Sequence, residues 1–247
     1  MSELNELRKY LERTNPQAKA PYRRPRDAAT LILLDRSGAE PRVLFGKRHE
    51  SHAFMPGMLV FPGGGYDAVD GRMWTTGTLD PLSKRRLLQG TPKISATRAR
   101  GLALAAIRET CEETGMLIGR RDETEFDVPS PAWEPFRKAR VHPDIGALFF
   151  LARAITPPGR PRRFDARFFV AERNAIAAEV PNVIGPDVEF VELRWLALAE
   201  ARKERLPAIT KVILEELENR ITAGFPKDVP IPFFYSRNGK FFRNTLD

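Results

Sequence analysis

Apolar residues fall into short runs separated by Gly, Pro and charged turns, and these runs set the order of elements. Residues 28–34 (AATLILL) form a continuous apolar run closed by Asp35-Arg36-Ser37-Gly38, which predicts a buried strand. Residues 42–47 (RVLFGK) predict its hairpin partner, and residues 58–61 lead into Pro62-Gly63-Gly64-Gly65, a sharp backbone break. Residues 147–155 (ALFFLARAI) and 165–171 (DARFFVA) predict two more strands around a basic, turn-rich loop at 156–163, and residues 190–195 (FVELRW) another. Helices are expected at Glu3–Thr14, from about 99 to 114, at 198–204 and at 209–223. The second stops at Gly115, the residue favoured just past a helix end, and the last carries Val212, Ile213, Leu217 and Ile221 near helical spacing.

Residues 70–98 lack steady periodicity and read as an insertion with a short helix near Pro81–Leu88. Residues 226–247, rich in Pro and Phe, fit no element and read as a tail. The organisation expected is an N-terminal helix and Pro/Arg connector (1–26), one domain (27–225) carrying the insertion, and the tail. Strands mixed with helices predict an α/β architecture, a mixed sheet with helices on both faces.

Composition narrows the class. The 247 residues are 42% hydrophobic and 29% charged, ordinary for a soluble domain. One cysteine, Cys111, excludes an internal disulfide framework and a cysteine zinc cluster, and suits a reducing cytoplasm, the expected location. No apolar run is long enough for a membrane span. The net charge of +8 favours anionic ligands. The arginine clusters at 23–26 and 160–163 lack interleaved aromatics, so a small-molecule ligand is expected rather than nucleic acid. Composition leaves a homodimer open.

The segment 103–115 (ALAAIRETCEETG) concentrates the chemistry. At about 100° per residue, Glu112 lies near −60° and Glu113 near +40° of Glu109, so three carboxylates share an arc of roughly 100°. Ala103, Leu104, Ile107 and Cys111 face the other way. Like charges at this spacing repel, and the helix dipole disfavours them in a last turn. A hard cation such as Mg²⁺ or Mn²⁺ relieves both penalties, binds phosphates and acidifies a bound water. Acidic triplets on helices are usually solvated surface. Two neighbours weigh against that here: Arg108 directly before Glu109, and the Phe61-Pro62-Gly63-Gly64 turn upstream.

Arg108-Glu109-Thr110-Cys111-Glu112-Glu113-Thr114-Gly115-Met116 resembles the second half of the Nudix box, and Phe61-Pro62-Gly63-Gly64 resembles the turn that opens it. The resemblance implies a Nudix-type α/β/α sandwich with a mixed sheet, an enzyme, and Mg²⁺- or Mn²⁺-dependent hydrolysis of a diphosphate linked to another moiety. It implies Glu109, Glu112, Glu113 and the Gly64 carbonyl as metal ligands, Glu112 as the group nearest the nucleophilic water, and Arg108 as the holder of the carboxylates. Two departures stand out. The box Glu eight residues before the Arg is replaced by Arg100, and more than 40 residues separate Gly64 from Arg108, a lengthened box. Asp67 and Asp70 are the candidates to do part of the missing residue's work. The lengthening, with 54–64 and 191–195, resembles the coenzyme A diphosphatase branch, although its full signature is not present.

Other candidates follow from chemistry. Lys47, Arg48, Arg163 and Phe164 could meet phosphates and a base. Glu189 and Glu192 could supply a further carboxylate. The three histidines, His49, His52 and His142, lack partners at zinc-site spacing. The preferred substrate is a coenzyme A derivative. The rivals are ADP-ribose or RNA-end hydrolysis, and a non-catalytic Nudix module that binds a nucleotide or regulates a partner.

Overall fold

The computed structural model describes residues 2–14, 23–51, 55–90 and 94–247. Helix α1 (Glu3–Thr14) precedes strands β1 (Arg26–Asp35), β2 (Arg42–Arg48), β3 (Leu59–Val60) and β4 (Gly63–Gly65). Helices α2 (Pro81–Leu88) and α3 (Ala96–Thr114) follow, then β5 (Met116–Arg121), α4 (Glu134–Lys138), β6 (Val141–Pro143), β7 (Phe149–Ile155), β8 (Phe164–Glu172) and β9 (Ile176–Glu179). Last come β10 (Phe190–Ala197), α5 (Leu198–Ala201), α6 (Ala208–Thr222), β11 (Ile231–Arg237) and β12 (Lys240–Leu246).

The apolar run in β1 has no polar face because both its faces are covered. Ala29, Leu31 and Leu33 join a core with Ala103, Leu104 and Ile107 of α3, Trp133 and Phe136. Ile32 and Leu34 join the opposite core, with Val212, Ile213 and Leu217 of α6 and Leu7 of α1. The sheet between these layers runs β10-β2-β1-β8-β7-β11-β12, with β3 paired to β2 and β4 to β1. It is mixed: β8 lies parallel to β1 from Arg26↔Phe164 to Leu34↔Glu172, while β2 and β4 are antiparallel to β1 at its two ends. No helix among the described residues is long and apolar enough to cross a membrane.

A chain of ion pairs, buried within the sheet and exposed at Arg98, stitches the sheet to α3. Arg153 donates to both oxygens of Asp165 at 2.8 and 2.6 Å, and Arg167, fully buried, donates to the Asp165 carbonyl and to Asp27 Oδ1, each at 2.6 Å. Arg98 near the start of α3 closes the chain on Asp27 Oδ2, also at 2.6 Å. Removing one member of such a buried pair costs about 3–5 kcal/mol, since the other charge is stranded.

The structure differs from the sequence reading in four places. Residues 226–247 supply the β11–β12 hairpin, which extends the main sheet through parallel pairing of β11 with β7. Its turn is Asn238-Gly239, with φ of 51° and 73°, the two-residue turn that an Asn-Gly pair favours. A second, three-stranded sheet, β6-β5-β9, is built from segments too short to show a period. Helix α3 starts at Ala96, earlier than expected, because the Ser95 side chain accepts from Arg98 N at 3.1 Å and caps it. The helix expected at 198–204 is only the four-residue α5.

Candidate functional site

The site forms where β4 turns beside the last turns of α3. Gly63–Gly65 pairs with β1 through Thr30↔Gly63, Ala29↔Gly64 and Ala28↔Gly65. At Gly63 and Gly64 a side chain has no room. A Cβ on Gly63 would sit 2.6 Å from the Ala29 carbonyl oxygen, and one on Gly64 would sit 2.4 Å from Glu109 Oε2. The glycines therefore let the backbone approach the α3 carboxylates.

Helix α3 is buried on every side from Gly101 to Arg108, and its last turns open toward solvent at Glu112. Thr110, a polar residue in a slot expected to be apolar, is fully buried but donates its hydroxyl to the Ala106 carbonyl at 2.8 Å, so nothing is left unsatisfied. Helix α3 ends at Gly115 with φ of 77°, where a Cβ would meet the Val180 carbonyl oxygen at 2.3 Å.

Arg108 is the hub. A guanidinium carries five N–H donors, and all five are used. Nε donates to Asp70 Oδ1 at 2.8 Å, and Nη2 donates to Asp70 Oδ2 at 3.1 Å and the Gly65 carbonyl at 2.8 Å. Nη1 donates to Glu109 Oε1 and Glu112 Oε2, each at 2.9 Å. Burial alone would lower the Arg108 pKa, but the Asp70 hydrogen bonds and the charges of Glu109, Asp70 and Glu112 raise it above the usual guanidinium value.

The carboxylates differ in surroundings. The Glu109 side chain is 15% exposed and that of Glu112 is 40% exposed. Burial raises Glu109, against the opposing pull of Arg108. Glu113 turns inward, where its Oε2 accepts from Gly63 N at 2.8 Å. Burial pushes its carboxyl up to about 8, although the Gly63 N–H and Arg48 act the other way. Asp70, Glu109, Glu112 and Glu113 here face two guanidiniums, those of Arg108 and Arg48, and a cation would balance the excess negative charge.

The three carboxylates lie at one end of α3 but do not converge on a single point. Among the described residues, no three His, Cys, Asp or Glu side chains are grouped so that they could hold a metal ion. The physical reason is competition: Glu109 and Glu112 are drawn to Arg108, and Glu113 to Gly63 N. The donor chemistry still fits a hard ion, since every candidate is an oxygen.

The remaining predicted residues divide. Asp70 reaches Arg108, whereas Asp67 is exposed and closes a local turn by accepting from Val69 N. Arg48 is buried, feels the charge of Glu113 and forms an ion pair with Glu189, so both stand at the site's edge. Strand alternation puts Lys47 on the face of Val43 and Phe45, opposite α3, so Lys47 is not brought to the carboxylates. Glu192 is exposed on β10 and lies 4.0 Å from Arg194. Arg163 is buried and donates to the carbonyls of Thr156 and Arg23, which makes it a tie for the 156–163 loop.

Of the histidines, His49 bonds locally to Ser51, and His142 is buried between Trp74 and Phe126 with Nε2 on the Thr124 carbonyl. His52 lies outside the described residues.

Phe164 borders a feature the sequence reading missed. A cleft of about 570 Å³ opens beside Gly65, lined by Arg24, Arg26, Asp27, Tyr66, Arg98 and Phe164. Its one acid is neutralised: burial would raise Asp27, but Arg167 and Arg98 bring its pKa below the usual value. The cleft is therefore cationic with two aromatic walls. The cluster at 23–26 was the sequence signal, but nothing in the sequence joined it to Tyr66, Arg98 or Phe164.

No family model matches the chain. Among solved structures, the chain is similar to a Nudix hydrolase from Alicyclobacillus acidocaldarius at 27% identity, over 81% of this chain and 84% of that one, with a TM-score of 0.54. A MutT Nudix hydrolase from Burkholderia pseudomallei is similar at 19% identity, over 79% and 99%, with a TM-score of 0.45. The Nudix domain of Shewanella oneidensis NrtR, solved with ADP ribose, is similar at 14% identity, over 86% and 97%, with a TM-score of 0.45. The architecture is the Nudix-type mixed α/β sandwich, as the first of these shows.

Proposed function

We propose that the chain hydrolyses the diphosphate bond of a nucleoside-diphosphate-linked small molecule, with Mg²⁺ or Mn²⁺ as cofactor. Likeness to a Nudix hydrolase supports an enzyme acting on phosphoric anhydrides. The observation that carries the reading is the Arg108 hub, which collects Glu109 and Glu112 beside the close-approach glycines.

In this reading Glu109, Glu112, Glu113 and the Gly64 carbonyl would hold the cation. When bound, the cation lowers the pKa of a coordinated water and offsets the charge of the diphosphate. The residues of the chain supply the rest. Glu112, the most exposed of the three, accepts the proton of the attacking water. Arg108 keeps Glu109 and Glu112 aligned and balances part of their charge. Arg48, beside Glu113, faces the phosphates. The cleft takes the nucleoside end, with a base against Tyr66 or Phe164 and phosphate oxygens on Arg24, Arg26 and Arg98. A coenzyme A derivative is the preferred substrate, because its 3′-phosphorylated adenosine suits three guanidiniums better than an unphosphorylated ribose does. A single buried thiol suits the cytoplasm as its location.

The test is turnover of coenzyme A, acyl-coenzyme A, ADP-ribose, dinucleoside polyphosphates and capped RNA with Mg²⁺ or Mn²⁺. Coenzyme A or its acyl form should give the highest kcat/KM. Glu112→Gln should lower kcat by about a hundredfold or more with the fold intact. Wild-type rates in that variant, or no turnover of any substrate, would overturn the reading.

A further inference from the structure

On the reading of the α3 carboxylates as a reaction centre, we propose that Asp70 is the positioning residue that aims Arg108, and that Arg100 clamps the turn carrying it. Asp70 is fully buried, and its two oxygens take one whole edge of the Arg108 guanidinium. A guanidinium is planar, so fixing that edge fixes where the opposite nitrogen points. In this site it points at Glu109 and Glu112. No hydrogen bond joins Asp70 to either of them, and its geometric hold on them runs through Arg108.

The turn is built to put Asp70 there. Asp70 N donates to the Asp67 carbonyl at 3.0 Å, Asp67 N donates back to Asp70 Oδ2 at 3.0 Å, and Asp70–Arg72 forms a single 3₁₀ turn. Its backbone presses on α3 at Gly101, where a Cβ would lie 2.6 Å from the Tyr66 ring and 3.0 Å from Gly71 N. A Cβ on Gly71 would meet the Thr97 methyl at 3.1 Å. Two glycines thus set the approach of turn to helix.

Arg100 grips the far end of the turn, donating to the Gly71 carbonyl at 2.8 Å and to the Met73 carbonyl. Arg100 and Arg108 are eight residues apart, so they stand about 12 Å apart along the axis and about 80° around it. One arginine holds the carbonyls of the turn and the other its carboxylate. Arg100 occupies the position where the resembled box has its Glu. In this chain the acid that meets Arg108 comes from the 70–98 segment rather than from the helix, and Arg100 on the helix anchors the turn that carries it.

The experiment is a double-mutant cycle on the full chain with Mn²⁺ and whichever substrate of the panel turns over. Asp70→Asn should lower kcat at least tenfold with KM changed less than threefold, and Asp70→Glu should recover part of it. Asp70→Asn added to Arg108→Lys should cost little more than Arg108→Lys alone. Arg100→Gln should show a weaker form of the Asp70→Asn defect. Multiplying effects in the cycle, or wild-type kcat in a folded Asp70→Asn protein, would overturn the proposal.

A second readout is independent of turnover: the ¹⁵N NMR resonance of Arg108 Nε–H. It should be protected from exchange in the wild type, exposed in Asp70→Asn and unaffected in Glu112→Gln. Protection surviving in Asp70→Asn refutes the positioning role. Turnover absent from every protein while this pattern holds refutes the hydrolase reading and leaves the Asp70–Arg108 link standing.

Discussion

Arg108 has no spare donor, and that shapes what its neighbours can tolerate. Glu109 is held between Arg108 Nη1 and the bare backbone of Gly64. A methyl at position 64 would collide with the flexible end of Glu109 rather than with backbone. Gly64→Ala should therefore leave the thermal midpoint nearly unchanged, yet lower kcat by about tenfold or more through a displaced carboxylate. Steady-state kinetics beside a melting curve check this, and a stable variant at full rate contradicts it. Cys111, inside the motif, takes no part: burial pushes its thiol up to about 12, far from a reactive thiolate.

At the scale of elements, the tail is the most instructive. Asn238 and Gly239 both have positive φ, a conformation costing a β-branched residue about 1–2 kcal/mol. Gly239→Val should lower the urea midpoint by a corresponding amount while turnover per folded molecule stays constant, because β12 lies four strands from β1. An unchanged midpoint would show that the turn is not needed. The Asn-Gly signal was present in the sequence, but prolines at 226, 230 and 232 hid the strands around it. β1 and α3 were legible because a continuous apolar run and a cap at Gly115 are local signals. β5, β6 and β9 were not, since Ile176–Glu179 (IAAE) carries more helical than strand preference and pairs only through β5. In the site, Glu109, Glu112 and Glu113 could be read from helical spacing alone. Asp70 could be named as an acid near the glycines, but its tie to Arg108 spans 38 residues and depends on the turn at Gly101.

For the whole molecule, two cores on opposite faces of one sheet fix β1, and β1 positions several of the parts the site uses. Through β4 it sets the glycines, through Asp27 and Arg98 the start of α3, and beside both lies the cationic cleft. The net charge of +8 and this cleft both favour an anionic substrate, while the acidic end of α3 favours a cation. The most direct measurement is an electron paramagnetic resonance titration of the purified full chain with Mn²⁺. The wild type should bind the ion at millimolar concentration or below, and a variant with Glu109, Glu112 and Glu113 all changed to Gln should lose that binding while keeping its circular dichroism. Equal binding by both proteins, or none by the wild type, contradicts the claim that these carboxylates take the ion.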